Sequence, residues 1–325
     1  MNYRQSKNKT LICFIVFAFI LLVAFGYYVF IGRYYISEPM MDLEYKKAII
    51  KESKNVFYRL ENLRPVVGEE ELIEFIRVNN DNPEIYHPSG KNLEEGIFKA
   101  NLHMHTLQSD GVVPVEKRLD DAQKYAEKYL KGGCMYIAIT DHNTVLGAKD
   151  VVKVLQRYPG KYKNVKVVLG MEVYTGFRSK YKETPVETHV LCWCINPYDK
   201  FLNKEFFKPK NANKWNRIKP DRDFDDLILM MSKYSIPGIA HPIRYTNNLR
   251  ENKELYMEEM MSRYGELSKK TLFAEGHYQV YSRYYDPYVM KHEILPYMDF
   301  VKKKADEHNI IKTGSTDSHS GYIFK

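Results

Sequence analysis

Six of the chain's ten histidines stand in short motifs, each beside a carboxylate or closing an apolar run. His103 and His105 lie in Asn101-Leu102-His103-Met104-His105-Thr106, with Asp110 a few residues on in Ser109-Asp110-Gly111. His142 follows Thr140-Asp141, His189 sits in a later apolar run, and His241 begins His241-Pro242-Ile243-Arg244. Glu172 closes Gly170-Met171-Glu172, and His319 ends Thr316-Asp317-Ser318-His319. Imidazole nitrogen and carboxylate oxygen are the donor set for zinc, manganese or iron, and this many of each suits more than one ion. Such ions make hydroxide at neutral pH and clamp phosphoryl oxygens. Each motif alone is weak: a lone His at a strand end is more often a hydrogen-bonded core residue than a ligand. Asp141 and Asp317 also fit caps or turns.

The elements around the motifs give them a common place. Short apolar runs alternate with stretches of helical spacing from residue 96 onward. Ile97–Leu102, Met135–Thr140, Val165–Leu169, Thr188–Ile195, Ile236–Ala240, Leu272–Glu275 and Ile310–Thr313 read as strands. Arg118–Lys131, Val151–Tyr158, Phe224–Tyr234 and Asp299–His308 read as helices. That alternation predicts an α/β fold with a parallel sheet or barrel, and most polar motifs fall at strand C-termini, where barrels build their sites. Two histidines at i and i+2 on a strand end share a face, so His103 and His105 can hold one ion together.

Size and composition fit a globular domain with a sizeable core. The 325 residues are 44% apolar and 28% charged, with a formal charge of +8. Four cysteines, Cys13, Cys134, Cys192 and Cys194, contain no C-x-x-C pair and suggest no disulfide framework. Leu11 to Ile31 is an uncharged apolar run long enough to span a hydrocarbon core as a helix. Arg4, Lys7 and Lys9 precede it, which predicts a cytoplasmic tail over residues 1–10, a single-pass cell-membrane anchor over 11–31 and the rest of the chain outside. A cleaved signal peptide is the competing expectation. Residues 32–95 read as a helical stalk or linker, and 96–325 as the catalytic domain.

The ordered set HxHTxxSDG, TDHNT, GMEV, a strand His, AHP and TDSH resembles the polymerase and histidinol phosphatase (PHP) family across residues 101–319. The resemblance implies a distorted (β/α)7 barrel, here preceded by one transmembrane helix and a stalk, holding two or three divalent ions (Zn, Mn or Fe). It implies that His103, His105, Glu172 and Asp317 hold the first ion. Glu172 would bridge to a second, completed by His189 and His241, and Asp110, His142 and His319 would hold a third. Asp141 is placed behind the ligands, orienting an imidazole. His87, His277, His292 and His308 read as ordinary residues, although Glu275-Gly276-His277 also follows a strand.

The expected function is a membrane-anchored, metal-dependent phosphoric ester hydrolase in which a metal-bound hydroxide attacks phosphorus. The Asp-Gly turn and AHPxR resemble the family branch acting on nucleotide phosphates and short oligonucleotides. Alternatives are a histidinol-phosphate-like phosphomonoesterase and a non-catalytic, metal-dependent phospholigand-binding protein. Arg244 is a candidate for holding a substrate phosphate bidentately. The Lys- and Arg-rich stretch from Tyr198 to Arg222 is either a basic rim or a solvated loop.

Overall fold

The computed structural model describes Leu60 and residues 63–206, 222–242, 252–278 and 287–321. The anchor expected over 11–31, Arg244 and most of the basic stretch (207–221) lie outside the described residues. No described helix is long and apolar enough to cross a membrane.

Seven strands form one sheet in sequence order: β1 Ala100–Met104, β2 Met135–Ile139, β3 Val165–Phe177, β4 Val186–Trp193, β5 Ile236–Ile239, β6 Phe273–Tyr278 and β7 Ile311–Ser315. The order curls back on itself. Met104 bridges to Ser318 in parallel sense, just beyond β7, and His105 N–H donates to Ser318 O at 3.0 Å. Amphipathic helices cover the outside, including α1 Val115–Tyr129, α2 Leu146–Arg157, α3 Phe224–Met231, α4 Lys253–Leu267 and α5 Leu295–Glu307. In α1 the buried Val115, Leu119, Ala122 and Ala126 recur at helical spacing and pack against the sheet's outer face. The α4 helix has no counterpart among the helices read from the sequence.

The βα alternation fails at one place, which matters for the site. Strand β3 does not end at Leu169 as expected but continues to Phe177. It then returns directly as β4, antiparallel, with Tyr174 opposite His189 and Glu172 opposite Leu191. Strand β5 is antiparallel to β4, while β1–β2–β3 and β5–β6–β7 are parallel. Because β4 runs against the others, its His189 reaches the same end of the sheet from near the strand's start rather than its finish.

Residues 63–95, expected within a stalk, instead belong to the compact unit Tyr58–Lys325. Val67 N–H donates to Val167 O, and the helix Glu69–Val78 buries Leu72 and Ile76. These side chains join Ala100, Leu102, Ala138, Val168, Leu191, Trp193 and Phe273 in one apolar cluster. Each fully buried aliphatic side chain of this kind contributes about 1.5–3 kcal/mol, so the segment is part of the fold's core. A short helix with two apolar contacts reads as a stalk because nothing local reveals what it covers.

Candidate metal centre

Alternation along β2, β3 and β4 separates an outer set (Ile137, Val167, Val190) from an inner set (Ala138, Val168, Leu191). On that inner face β3 also carries Glu172 and Tyr174, and β4 carries His189. Strand β1 solves a harder problem. It pairs Asn101 with Ile137 and Met104 with Ile139, so one extra residue intervenes. The bulge turns both Leu102 and His103 inward, one into the apolar floor and the other into the site. Leu102 O, displaced from the ladder, accepts from Trp193 Nε1–H at 3.0 Å.

His103 Nε2 lies 3.0 Å from Glu172 Oε2, 3.0 Å from His105 Nε2 and 3.3 Å from Asp317 Oδ1. His105 Nε2 is 3.3 Å from Glu172 Oε2 and 3.0 Å from Asp317 Oδ1. The edges of a tetrahedron around an ion with bonds near 2.0 Å measure about 3.3 Å, so these four atoms have the spacing of one coordination shell. Glu172 Oε2 is buried without a hydrogen bond, although three imidazole nitrogens stand within 3.3 Å of it. Three ring nitrogens converging on one buried carboxylate oxygen form an arrangement that a shared cation would satisfy, as would protons on those rings. The donor set and spacing fit a divalent metal.

Glu172 also faces a second group. His189 Nδ1 is 2.7 Å and His241 Nε2 2.9 Å from Oε1, while His142 Nδ1 is 2.9 Å from Oε2. The ligand-competent set here is His142, Glu172 and His189. His142 therefore stands closer to this group than the expected ligand set allowed, with His241 against the same carboxylate.

The third group lies nearest solvent. Asp110 Oδ2 is 3.1 Å from His319 Nε2 and 3.5 Å from His142 Nε2, and Asp110 Oδ1 is 3.8 Å from His105 Nδ1. The His105 ring centroid is 4.2 Å from those of both His142 and His319, which lie 5.9 Å from each other. Asp110 and His319 side chains keep about a third of their surface exposed (35% and 32%), whereas His103, His105 and Glu172 have none. The open end of the site is at this third group.

Charge in the pocket is tightly balanced. Burial favours the neutral Glu172 carboxyl, but His103, His142 and His189 hold it well below the usual carboxylate range. Burial pulls His142 down, and Glu172 and Asp110 override that and push it up to about 10. His103 is likewise pulled down by burial yet held well above its ordinary value by Glu172, Asp317 and Glu275. Burial lowers His241 to about 4 and keeps it a neutral donor. The acids demand positive charge at this point, and either protons or metal ions can supply it.

All nine expected ligands converge here. A sequence model of the PHP domain matches residues 101–305. The chain belongs to the PHP domain family. The DNA polymerase/3'-5' exonuclease PolX of Bacillus subtilis (strain 168) is 29% identical over 107 residues, covering 30% of this chain. The chain spans only 18% of that relative's length. Among solved structures, an amidohydrolase from Chromobacterium violaceum with bound sulfate superposes with a TM-score of 0.46 at 15% identity, over 68% of this chain and 88% of that one. PsfC from Pseudomonas syringae PB-5123 gives 0.37 at 12% identity, over 68% and 76%.

One expectation about this PHP domain is corrected. Asp141 touches no imidazole. Its Oδ1 accepts from Thr106 N–H and Ser109 Oγ–H, and its Oδ2 from Thr106 Oγ1–H, all at 2.7 Å. It pins the loop after His105, and only Ser109 Oγ, 3.5 Å from His105 Nδ1, links it to a ring. His277, read as an ordinary residue, is turned away from the site. Strand β6 pairs Ala274 with Lys312 and His277 with Gly314, so an extra residue reverses its alternation. His277 Nε2 meets Asn80 O at 2.7 Å, and Glu275 faces the site in its place. Two contributors carried no motif: Tyr174, whose ring stacks 4.6 Å from His142, and Arg118. Arg118 is fully buried in α1, donates to His105 O at 2.8 Å and Ser318 O at 3.0 Å, and so ties the two ligand-bearing segments together.

Proposed function

We propose that this PHP domain is a metal-dependent phosphoric ester hydrolase, acting on nucleotide phosphates or short oligonucleotides. The observation that carries the reading is Glu172, a fully buried carboxylate whose two oxygens face two different sets of imidazoles. His103, His105 and Asp317 would hold one divalent ion with it, and His189, with His142 or His241, would hold a second. Such ions supply a nucleophile at neutral pH and offset charge on phosphoryl oxygens.

The chain's own residues set the rest. The buried floor, His103, His105, His241 and Glu172, excludes water and fixes donor positions. Asp110 and His319, about a third exposed, mark the side from which a phosphate reaches the ions. His142 has one nitrogen toward Glu172 and the other toward Asp110, so it couples floor to mouth. Arg244 would hold a second phosphate or the leaving group. The Bacillus subtilis relative is a DNA polymerase/3'-5' exonuclease, which agrees with a nucleotide-type substrate.

Turnover of p-nitrophenyl phosphate, bisnucleotides and short oligonucleotides by Mn- or Zn-loaded protein tests this. Release of phosphate or mononucleotides is expected. Binding of phosphorylated ligands without turnover would replace the hydrolase with a binding protein, and exclusive cleavage of small phosphomonoesters would favour the histidinol-phosphate-like alternative. Arg244→Ala should lower phosphoester turnover and spare cleavage of a carboxylic ester.

We further propose that residues 11–31 anchor the protein in the cell membrane with this domain outside the cytoplasm. The uncharged run and the basic residues ahead of it support that reading. Protease added to intact spheroplasts should then digest the domain; full protection would reverse the orientation.

A further inference from the structure

One buried acid beside the candidate metal centre belongs to none of the three ligand groups. Glu275 projects from β6 and is fully buried. Its Oε1 and Oε2 lie 3.3 and 3.2 Å from His103 Nδ1. Oε2 also accepts from His241 N–H at 2.7 Å, and Oε1 accepts from Ser315 Oγ–H. One carboxylate therefore joins the ends of β1, β5 and β7, and all three of those segments carry candidate ligands.

The contact with His103 is on the far side of the ring. His103 Nε2, not Nδ1, faces Glu172, His105 and Asp317 at 3.0–3.3 Å. A neutral imidazole has one N–H and one lone pair, and a carboxylate is an acceptor only. With Glu275 behind it, the ring places its hydrogen on Nδ1 and its lone pair on Nε2, toward the other three donors. The bond to His241 N–H acts on a different ligand. His241 has a left-handed backbone at φ 21°, a conformation uncommon for a residue with a side chain. Glu275 holds that turn where His241 Nε2 meets Glu172.

We propose that Glu275 is a positioning residue that sets the tautomer of His103 and the backbone of His241 for metal binding. This rests on reading His103, His105, Glu172 and Asp317 as a metal site. Glu275→Gln separates positioning from packing. The amide oxygen can still accept from His241 N–H, which forces the NH2 group toward Ser315 Oγ and His103 Nδ1. Serine accepts that hydrogen, and His103 Nδ1 then faces an N–H donor where Oε1 stood and a neutral amide oxygen where the charged Oε2 stood.

The test uses full-length protein labelled with ¹⁵N-histidine and loaded with Zn²⁺. In the wild type, His103 should show a protonated Nδ1 and a metal-bound Nε2. In Glu275→Gln, Zn²⁺ affinity measured against a chromophoric chelator should fall about 10–100-fold, while metal-free thermal unfolding stays near the wild type. A His103 with bare Nδ1 in the loaded wild type would overturn the inference even if the variant fails to fold. So would a folded Glu275→Gln with unchanged Zn²⁺ affinity. A wild type that binds no Zn²⁺ would overturn the metal reading itself, and this inference with it.

Discussion

Glu172 decides the chemistry at the scale of single residues. An amide in its place keeps the volume but loses the charge that offsets the surrounding imidazoles, and it offers one acceptor instead of two. Glu172→Gln should therefore reduce bound metal per protein in elemental analysis. It should also cut phosphoester turnover by more than the about 10–100-fold typical of losing an outer-shell partner. Unchanged metal content would remove Glu172 from the centre. The same balance predicts a pH dependence. His103 and His142 are held above their ordinary values, His142 up to about 10, so both carry protons at neutral pH before metal enters. A metal must displace those protons, so its apparent affinity should rise with pH from neutrality toward about 10, by roughly tenfold per pH unit for each proton displaced. Calorimetry in buffers of different ionisation enthalpy should register proton release on loading. Affinity independent of pH across that window would contradict the charge balance. Eight of the nine candidate ligands were legible because they sit in motifs with characteristic neighbours, while His189 was placed only by its strand. Glu275 and Arg118 were not legible, since a lone acid on a strand and a lone arginine on a helix have no local signature of what they face.

The device that matters among the elements is irregularity in otherwise regular strands. Extra residues in β1 and β6 select which side chains enter the site, and the antiparallel β4 brings His189 in from the opposite direction. Alternating apolar runs foretold the strands and most helices, yet they could not reveal a bulge, because an inserted residue looks like any other until its partner strand is known. That is why Glu275-Gly276-His277 drew notice for its histidine when the glutamate is the residue that faces inward. Helix α2 shows how closely an element must approach. A Cβ on Gly147 would stand 1.9 Å from Asp141 Oδ2, and that carboxylate is already tied to Thr106 and Ser109. Gly147→Ala should destabilise the fold by about 1–3 kcal/mol. The expected fall in melting temperature is about 2–4 °C per kcal/mol for a chain of this size. Weaker metal binding through the displaced Thr106–Ser109 loop should accompany it. A melting temperature equal to the wild type would show that the loop has another anchor.

For the whole molecule, the segment 63–95 closes one end of the barrel interior while the ligands occupy the other. Metal binding and folding are therefore linked through one core. An ion held only by the native state stabilises it by about 2.7 kcal/mol at a hundredfold excess over its dissociation constant. Chelation should lower the melting temperature and abolish turnover together, and Mn²⁺ or Zn²⁺ should restore both. Loss of activity without any change in melting would place the functional ion outside this core. The proposed chemistry depends most on two oxygens of one carboxylate serving separate cations. Anomalous diffraction from crystals of Zn-loaded protein measures that directly. The expected result is a peak bonded to Glu172 Oε2, His103, His105 and Asp317, and another bonded to Glu172 Oε1 and His189. A fully loaded crystal with no anomalous peak within bonding distance of Glu172 would contradict it.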